Sequence, residues 1–350
     1  MGTNEEIRIG IVGAGNNTRL RHIPGFQQLD GVEVISVANR SRESGERTAK
    51  EFGISTVYDN WVDLVDADDT NAICIGTWPY LHCPITLRAL ERGKHVLTEA
   101  RMAMNASEAR SMLSASREHP DLITQVVPSP FTFRVDSTVE KLVSDGYLGD
   151  ILAIDLLATQ GGFIDNDAPL SWRTDIDLSG NNIMTMGIWY EALMRWVGPA
   201  TRVKALTQTS TKQRLDSSGT LRTVVIPDHV DIICAMACGG IAHLRISSVM
   251  GLAKTSGITI YGTEGTINWD APTQKLFGGR RGDSKLKEIL IKPEHEGSWQ
   301  VEQEFVRAIR GEQFVELTRF EDGVRYMEFT DAVNISARSG ASIDLPLVAS

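Results

Sequence analysis

The stretch that decides the fold is "IRIGIVGAGNNTRLRH", residues 7–22. A nearly unbroken apolar run ends in Gly13 and Gly15, which reads as a buried strand passing into a tight turn and then a helix. Gly13, Gly15 and Thr18 occupy the three marked positions of G-x-G-x-x-G. In that motif the first glycine makes the turn, and the second lets a pyrophosphate approach the backbone N–H groups of Asn16 and Asn17 at the helix start. Thr18 in the third position predicts a strand and helix set slightly further apart than glycine would allow. Alone, the same pattern also describes an ordinary glycine turn.

The surroundings favour the phosphate loop. "VEVISVAN" reads as a second strand, and "SRESGERTAKEFG" as a helix capped by Ser41 and stopped by Gly53. "STVYDNWVDLV" reads as a short strand and helix. "TNAICIGT" and "HVLTE" are further buried strands, with the helices "YLHCPITLRALERG" and "NASEARSMLSASREH" after them. Alternation of helices with unbroken apolar strands predicts a parallel sheet covered on both faces. Residues 1–125 are therefore expected to form an α/β, doubly wound, dinucleotide-binding domain. The second strand ends in "VANRSRES", where an acidic residue would accept the ribose 2′-OH of NAD. Asn39 stands there, followed by Arg40, Ser41 and Arg42, a set that suits the 2′-phosphate of NADP better. The alternative is that Arg40 and Arg42 are solvated helix-start residues and the cofactor is NAD.

From residue 126 the pattern changes. One helix, "FTFRVDSTVEKLVSDGYLG", precedes a succession of strands: "ILAIDLLATQG", "RVKALTQTST", "HVDIICAMACG", "IAHLRISSVM", "SGITIYGT", "GTINWD" and "KEILIK". The helix "IMTMGIWYEALMRWVG" interrupts them, and "WQVEQEFVRAIRG" and "FEDGVRYMEFTDAVNISARSG" follow. Residues 126–350 are expected to form an α+β domain on a large open, mostly antiparallel sheet. Helices would cover one face, and the other would meet a partner surface.

Composition narrows the function. Of the 350 residues, 42% are hydrophobic and 23% charged, and the formal net charge is −10. An acidic chain gains little from counterion release, which argues against nucleic acid as a partner. No apolar run reaches membrane-spanning length, and "MGTNEE" has neither a signal-peptide core nor a myristoylation pattern, so a cytoplasmic location is expected. Cys74, Cys83, Cys234 and Cys238 form no C-x-x-C pair and are expected to be buried free thiols. No cluster has metal-ligand spacing, and Asp228, His229 and Asp231 read as a solvated turn.

The order of these segments resembles the Gfo/Idh/MocA family of sugar and cyclitol oxidoreductases along nearly the whole chain. "AICIGTWPYLHCPITLRALERGKHVLTE", with Thr77, Pro79 and His82, is similar to that family's most recognisable block. "DGYLGDILAI", "WRTDIDLSGNNIMTMGIWYEALMRWVG" and "IYGTEGTINWD" resemble its second-domain entry, substrate helix and late hairpin. The resemblance implies NAD(P) across the first domain, a sugar-like substrate over the second, and a homodimer or homotetramer. It also implies a Lys in a Glu-Lys-Pro motif and an Asp and a His on the substrate helix. Cofactor contacts are expected at Gly13, Gly15, Asn16, Asn17, Asn39, Arg40, Ser41, Thr77, Pro79, His82 and Glu99. Substrate contacts are expected at Trp172, Arg173, Thr185 and Trp189.

This chain departs from the pattern where the family keeps its titratable groups. Glu99 matches the motif Glu, but Ala100 takes the Lys position and Arg101 the Pro position. Thr185, Trp189 and Ala192 stand at the helix Asp, His and second Asp positions. Tyr190, Glu191 and Arg101 are the substitute catalytic candidates, although an arginine cannot shuttle a proton. Trp189 is either packing or a platform for a sugar ring. His82 either positions the cofactor loop or lies near the nicotinamide, and His243 either lines the substrate cleft or is a surface or packed histidine. Three functions follow: an oxidoreductase with a rebuilt acid–base group, a lyase or glycosidase working through transient oxidation, or a silent nucleotide-binding sensor.

Overall fold

The computed structural model describes residues 6–253 and 256–348. Residues 1–5, on which the reading of leader and lipid signals rests, lie outside them. The chain divides into two units, one running to Pro128 and adding Gln300–Val324, the other comprising Ser129–Trp299 and the residues from Arg325 onward. The segment Gln300–Val324, expected with the second domain, thus packs with the first.

The first unit is built on β1 (Ile7–Val12), β2 (Val32–Ala38), β3 (Thr56–Tyr58), β4 (Ala72–Ile75), β5 (His95–Thr98) and β6 (Thr124–Val126). All pair in parallel, in the order β3-β2-β1-β4-β5-β6. This is the doubly wound sheet that the alternation predicts; β6 escaped the sequence reading because three residues carry no period. Its helices are α1 (Ile23–Gln27), α2 (Arg42–Phe52), α3 (Trp61–Asp66), α4 (His82–Glu91) and α5 (Ala106–Glu118). Ser41 and Asn105 cap α2 and α5 as expected, and Gly53 ends α2 at φ +70°.

The second unit begins with α6 (Phe133–Ser144), shorter than its sequence pattern, and β7 (Ile151–Thr159). A short α7 (Ile176–Ser179) and α8 (Met186–Val197) follow, then β8 (Ala200–Gln208). β9 (Gln213–Leu215) and β10 (Leu221–Thr223) form a separate hairpin. Next come β11 (His229–Met236), β12 (Ile241–Ser247), β13 (Gly257–Gly262), β14 (Gly265–Asp270), β15 (Lys275–Arg280) and β16 (Lys287–Ile289). After α9 (Val301–Ile309) in the first unit, α10 (Phe320–Ser339) carries the chain back to β17 (Ile343–Asp344). The nine-stranded sheet runs β16-β15-β14-β13-β7-β12-β11-β8-β17 and is antiparallel except where β7 meets β12. The hairpin, β15 and β17 were missed in the sequence because they are short or glycine-rich.

One face of this sheet packs on helices. Trp269 of β14 meets Trp189 and Trp196 of α8, and Ser336 of α10 accepts from the Ala205 N–H. The other face carries Leu206, Ile233 and Ile241, which are 73%, 58% and 60% exposed. Three cysteines are buried, but Cys238 is exposed because it falls in the turn between β11 and β12. No described helix is long and apolar enough to cross a membrane.

Candidate functional site

Three glycines interlock at the ends of β1 and β4. Gly13 has φ +84°, and a Cβ there would lie 2.7 Å from Thr77 Cγ2. A Cβ on Gly15 would lie 3.1 Å from the Gly76 carbonyl. On Gly76 it would fall 2.0 Å from Thr18 Oγ1 and 2.2 Å from the Gly13 carbonyl. Thr18 is thus accommodated by an empty position opposite it, Gly76. Thr18 is buried in that space, and the helix adopts a π-helical turn over Thr18–His22. The hollow left by the missing side chains, at the start of a helix, is what a pyrophosphate requires, and a nicotinamide dinucleotide fits it.

A cleft of about 540 Å³ continues from this cradle to the end of β2, lined by Gly13, Asn39, Arg40, Ser41, Thr77 and Trp78 among others. Asn39 is engaged within the loop. Its Oδ1 accepts the Ala14 N–H at 2.7 Å, and its Nδ2 donates to Ser44 and Thr48. All of its hydrogen-bonding groups are thus turned to holding the glycine loop on α2. Arg42 is equally committed, to Asp59 at 2.7 Å and Glu46 at 3.0 Å. Arg40 makes no ion pair among the described residues, and its guanidinium lies 5.5 Å from the centre of the Trp78 ring. Ser41 accepts the Ser44 N–H at 3.3 Å. Asn16 is exposed on the loop.

Beyond β4 the strand order brings Glu99, at the end of β5, to the far side of the cradle from β2. Glu99 Oε1 receives Asn17 Nδ2 at 2.5 Å and His22 Nε2 at 3.1 Å. His22 is fully buried, and its Nδ1 lies 2.5 Å from Glu302 Oε1. Burial opposes charge on His22, but the Glu302 and Glu99 carboxylates outweigh it and hold its pKa up at about 9. Burial likewise opposes charge on Glu99, yet His22 and Asn17 keep its carboxyl below the usual range. His82 is fully buried at the head of α4, with its ring nitrogens 3.0 Å from the Thr77 carbonyl and 2.9 Å from the Arg101 carbonyl. It ties together the loops after β4 and β5, which is the positioning reading. Pro79 starts the 3₁₀ turn that leads from β4 into α4, and Arg101 is buried.

In the second unit the titratable candidates of α8 are engaged by the fold. Tyr190 is buried, stacks on Phe329 with ring centroids 3.7 Å apart, and accepts the Ala200 N–H at 2.8 Å. Burial pushes its phenol further up, away from proton exchange. Glu191 is buried, accepts the Ser129 N–H at 2.8 Å and pairs with Arg195 at 2.7 Å. Both point into the packed side of α8, because positions 190 and 191 lie on a helix that is buried nearly all round. Trp189 packs between Phe131 (4.8 Å) and Trp269 (5.8 Å), which is the packing reading. Thr185 precedes α8 and is partly exposed, and Arg173 stacks on Trp172 at 4.2 Å. His243 shares Asp231 with His229 and Arg245 on the open sheet face, so His229 and Asp231 belong to a strand rather than a turn. Among the described residues no group of three or more His, Cys, Asp or Glu could hold a metal ion.

His22, Glu302, Gly76 and Trp78 were absent from the sequence-derived site. His22 and Glu302 are 280 residues apart, a pairing that no local pattern announces. Gly76 follows a buried strand, and its proximity to Gly13 could have been inferred from parallel pairing of β1 with β4.

Residues 7–126 match the model of an oxidoreductase family with an NAD-binding Rossmann fold. Residues 137–268 match the GFO/IDH/MocA C-terminal domain. The chain is 27% identical over 320 residues to dTDP-3,4-didehydro-2,6-dideoxy-alpha-D-glucose 3-reductase of Streptomyces violaceoruber, covering 88% of this chain and 86% of that protein. It is 24% identical over 394 residues to levoglucosan dehydrogenase of Pseudarthrobacter phenanthrenivorans, covering 98% and 99%. A levoglucosan dehydrogenase complex with NADH and L-sorbose superposes with a TM-score of 0.84 at 22% identity, over 97% and 99% of the two chains.

Proposed function

The chain belongs to the GFO/IDH/MocA oxidoreductases, and from that premise we propose that it transfers hydride between a nicotinamide dinucleotide and a hydroxyl- or keto-bearing carbon of a sugar, cyclitol or related compound. The observation that carries this reading is the interlocked Gly13–Gly15–Gly76 cradle opening into the cleft that Arg40 and Trp78 line. The cofactor supplies the redox chemistry when bound; the chain holds and orients it. NADP is the preferred form in this reading, since Asn39 and Arg42 are engaged elsewhere and Arg40 is left to meet a 2′-phosphate. The acid–base group differs from the family's lysine, and its place is not Tyr190 or Glu191, whose polar atoms are consumed by the fold. Self-association through the open sheet face, as a homodimer or homotetramer, would cover Leu206, Ile233 and Ile241.

Titration with NADPH and NADH, followed by energy transfer from tryptophan to reduced nicotinamide, tests the cofactor site. A turnover screen over sugars and keto-sugars tests the reaction. Binding of neither nucleotide by folded protein would sink the proposal. One observation favours a second reading, a nucleotide-binding sensor: Trp189, at the position where the family resemblance implies a catalytic His, is packed, and the substitute candidates Tyr190 and Glu191 are engaged by the fold. Binding without turnover on any such substrate would select it.

A further inference from the structure

The charge balance behind the cradle points to a residue that the family motif does not include. Glu99 is held from behind by Asn17 and His22, and its Oε2 accepts the Ala100 N–H at 3.2 Å. Its side chain keeps 16% of its surface open. His22 has no exposed surface and reaches a second carboxylate, Glu302 of α9, through its other ring nitrogen. Carboxylates at both ring nitrogens favour the doubly protonated ring, the imidazolium. The packing has been cleared for this contact. A Cβ on Gly25 would stand 2.9 Å from the Glu302 carboxylate, so only glycine in α1 lets Glu302 reach His22.

The location of Glu99 follows from topology. It ends β5, three strands from β2 in the order β2-β1-β4-β5. At about 4.8 Å per strand that is roughly 14 Å, the span between the adenosine and nicotinamide halves of a dinucleotide laid across the sheet. Resting on the cofactor reading above, we propose that His22, clasped between Glu302 and Glu99, is the positioning residue that fixes Glu99 as an oriented anion at the nicotinamide end. It thereby takes the place of the cation that Ala100 has removed. The groups that face this cluster are Cys74 of β4 and His82 of α4, both of which feel the Glu99 charge. Neither contributes a hydrogen bond to it among the contacts found.

The test compares two probes that differ in reach. NADPH spans the whole cleft, whereas adenosine 2′,5′-diphosphate ends before β5. His22→Gln and Glu99→Gln should each raise the Kd for NADPH by about tenfold, the loss of one charge-assisted hydrogen bond. The double variant should cost little more than either single one. The Kd for adenosine 2′,5′-diphosphate should not change in any of them. Glu302→Gln, which leaves His22 a partner without a charge, should show the same split in smaller measure. An unchanged NADPH affinity in His22→Gln would overturn the proposal. So would equal weakening of both probes, which would mean that His22 merely shapes the glycine loop. Wild-type protein that binds neither probe would remove the cofactor reading and this inference together.

Discussion

Replacing His22 should flatten the stability of the protein against pH in a window that can be stated in advance. The folded-state pKa of His22 is raised from 6.5 to about 9. A raised histidine contributes stability that is fully present below the unfolded value and is lost as pH climbs through the folded one. At about 1.4 kcal/mol per tenfold change in proton affinity, the full contribution is on the order of 3 kcal/mol, most of which should vanish between pH 6.5 and 9. Neighbouring groups act elsewhere. Burial lowers the pKa of His82, so its contribution changes only below the ordinary histidine range. Glu99, held low, matters in acid, and Cys74, which burial raises well above the usual thiol range, matters only in stronger alkali. The assay is denaturant unfolding at pH 6.5, 7.5 and 9.0 for wild type and His22→Gln. The difference between the two should shrink by a few kcal/mol across the series, equivalent to roughly 5–10 °C in Tm. Parallel curves for the two proteins would show that His22 is neutral when folded, and the imidazolium argument would fail.

Gly76→Ala should abolish dinucleotide binding, because the new Cβ meets the Gly13 carbonyl at 2.2 Å and backbone cannot step aside; calorimetry with NADPH reads this directly. Arg40→Ala should weaken NADPH by roughly 10- to 100-fold while leaving NADH within about twofold, as measured by nicotinamide fluorescence. Tyr190→Phe should lower stability by about 1–2 kcal/mol through the unmet Ala200 N–H, yet leave kcat on any substrate found unchanged; a collapse of kcat would restore it as a catalytic group. Leu206→Lys with Ile233→Lys should yield monomers by light scattering if the open sheet face is the self-association surface.

The first sheet was legible because each of its longer strands is a continuous apolar run and each loop carries a glycine or a cap. Ser41, Gly53 and Asn105 act as their residue types predict. The glycine loop was legible too, down to Gly13. Its details were not, since Thr18 is accommodated by Gly76 at the end of another strand and Asn39 Oδ1 accepts the Ala14 N–H. Those are tertiary contacts, invisible to spacing. The surroundings of Tyr190 and Glu191 were hidden for a related reason. A sequence shows which side chains can titrate, while burial and the partners Ala200, Ser129 and Arg195 decide whether they are available. The pairing of His22 with Glu302 lay beyond any local pattern.

That pairing also has a temporal side. The first unit closes only when Gln300–Val324 arrives. Glu302 emerges from the ribosome 280 residues after His22, which at about 5–20 residues per second is roughly 14–56 s. Throughout that interval the nascent Rossmann sheet has its glycine loop but neither the carboxylate for His22 nor the Glu304 carboxylate that accepts from Gln125 and the Leu317 N–H. A chain cut at Pro128 would stay permanently in this unfinished state. Synthesis of the second unit's sheet is therefore an obligatory interlude in the folding of the first, and premature termination anywhere before α9 should leave a protein that chaperones and proteases treat as incomplete.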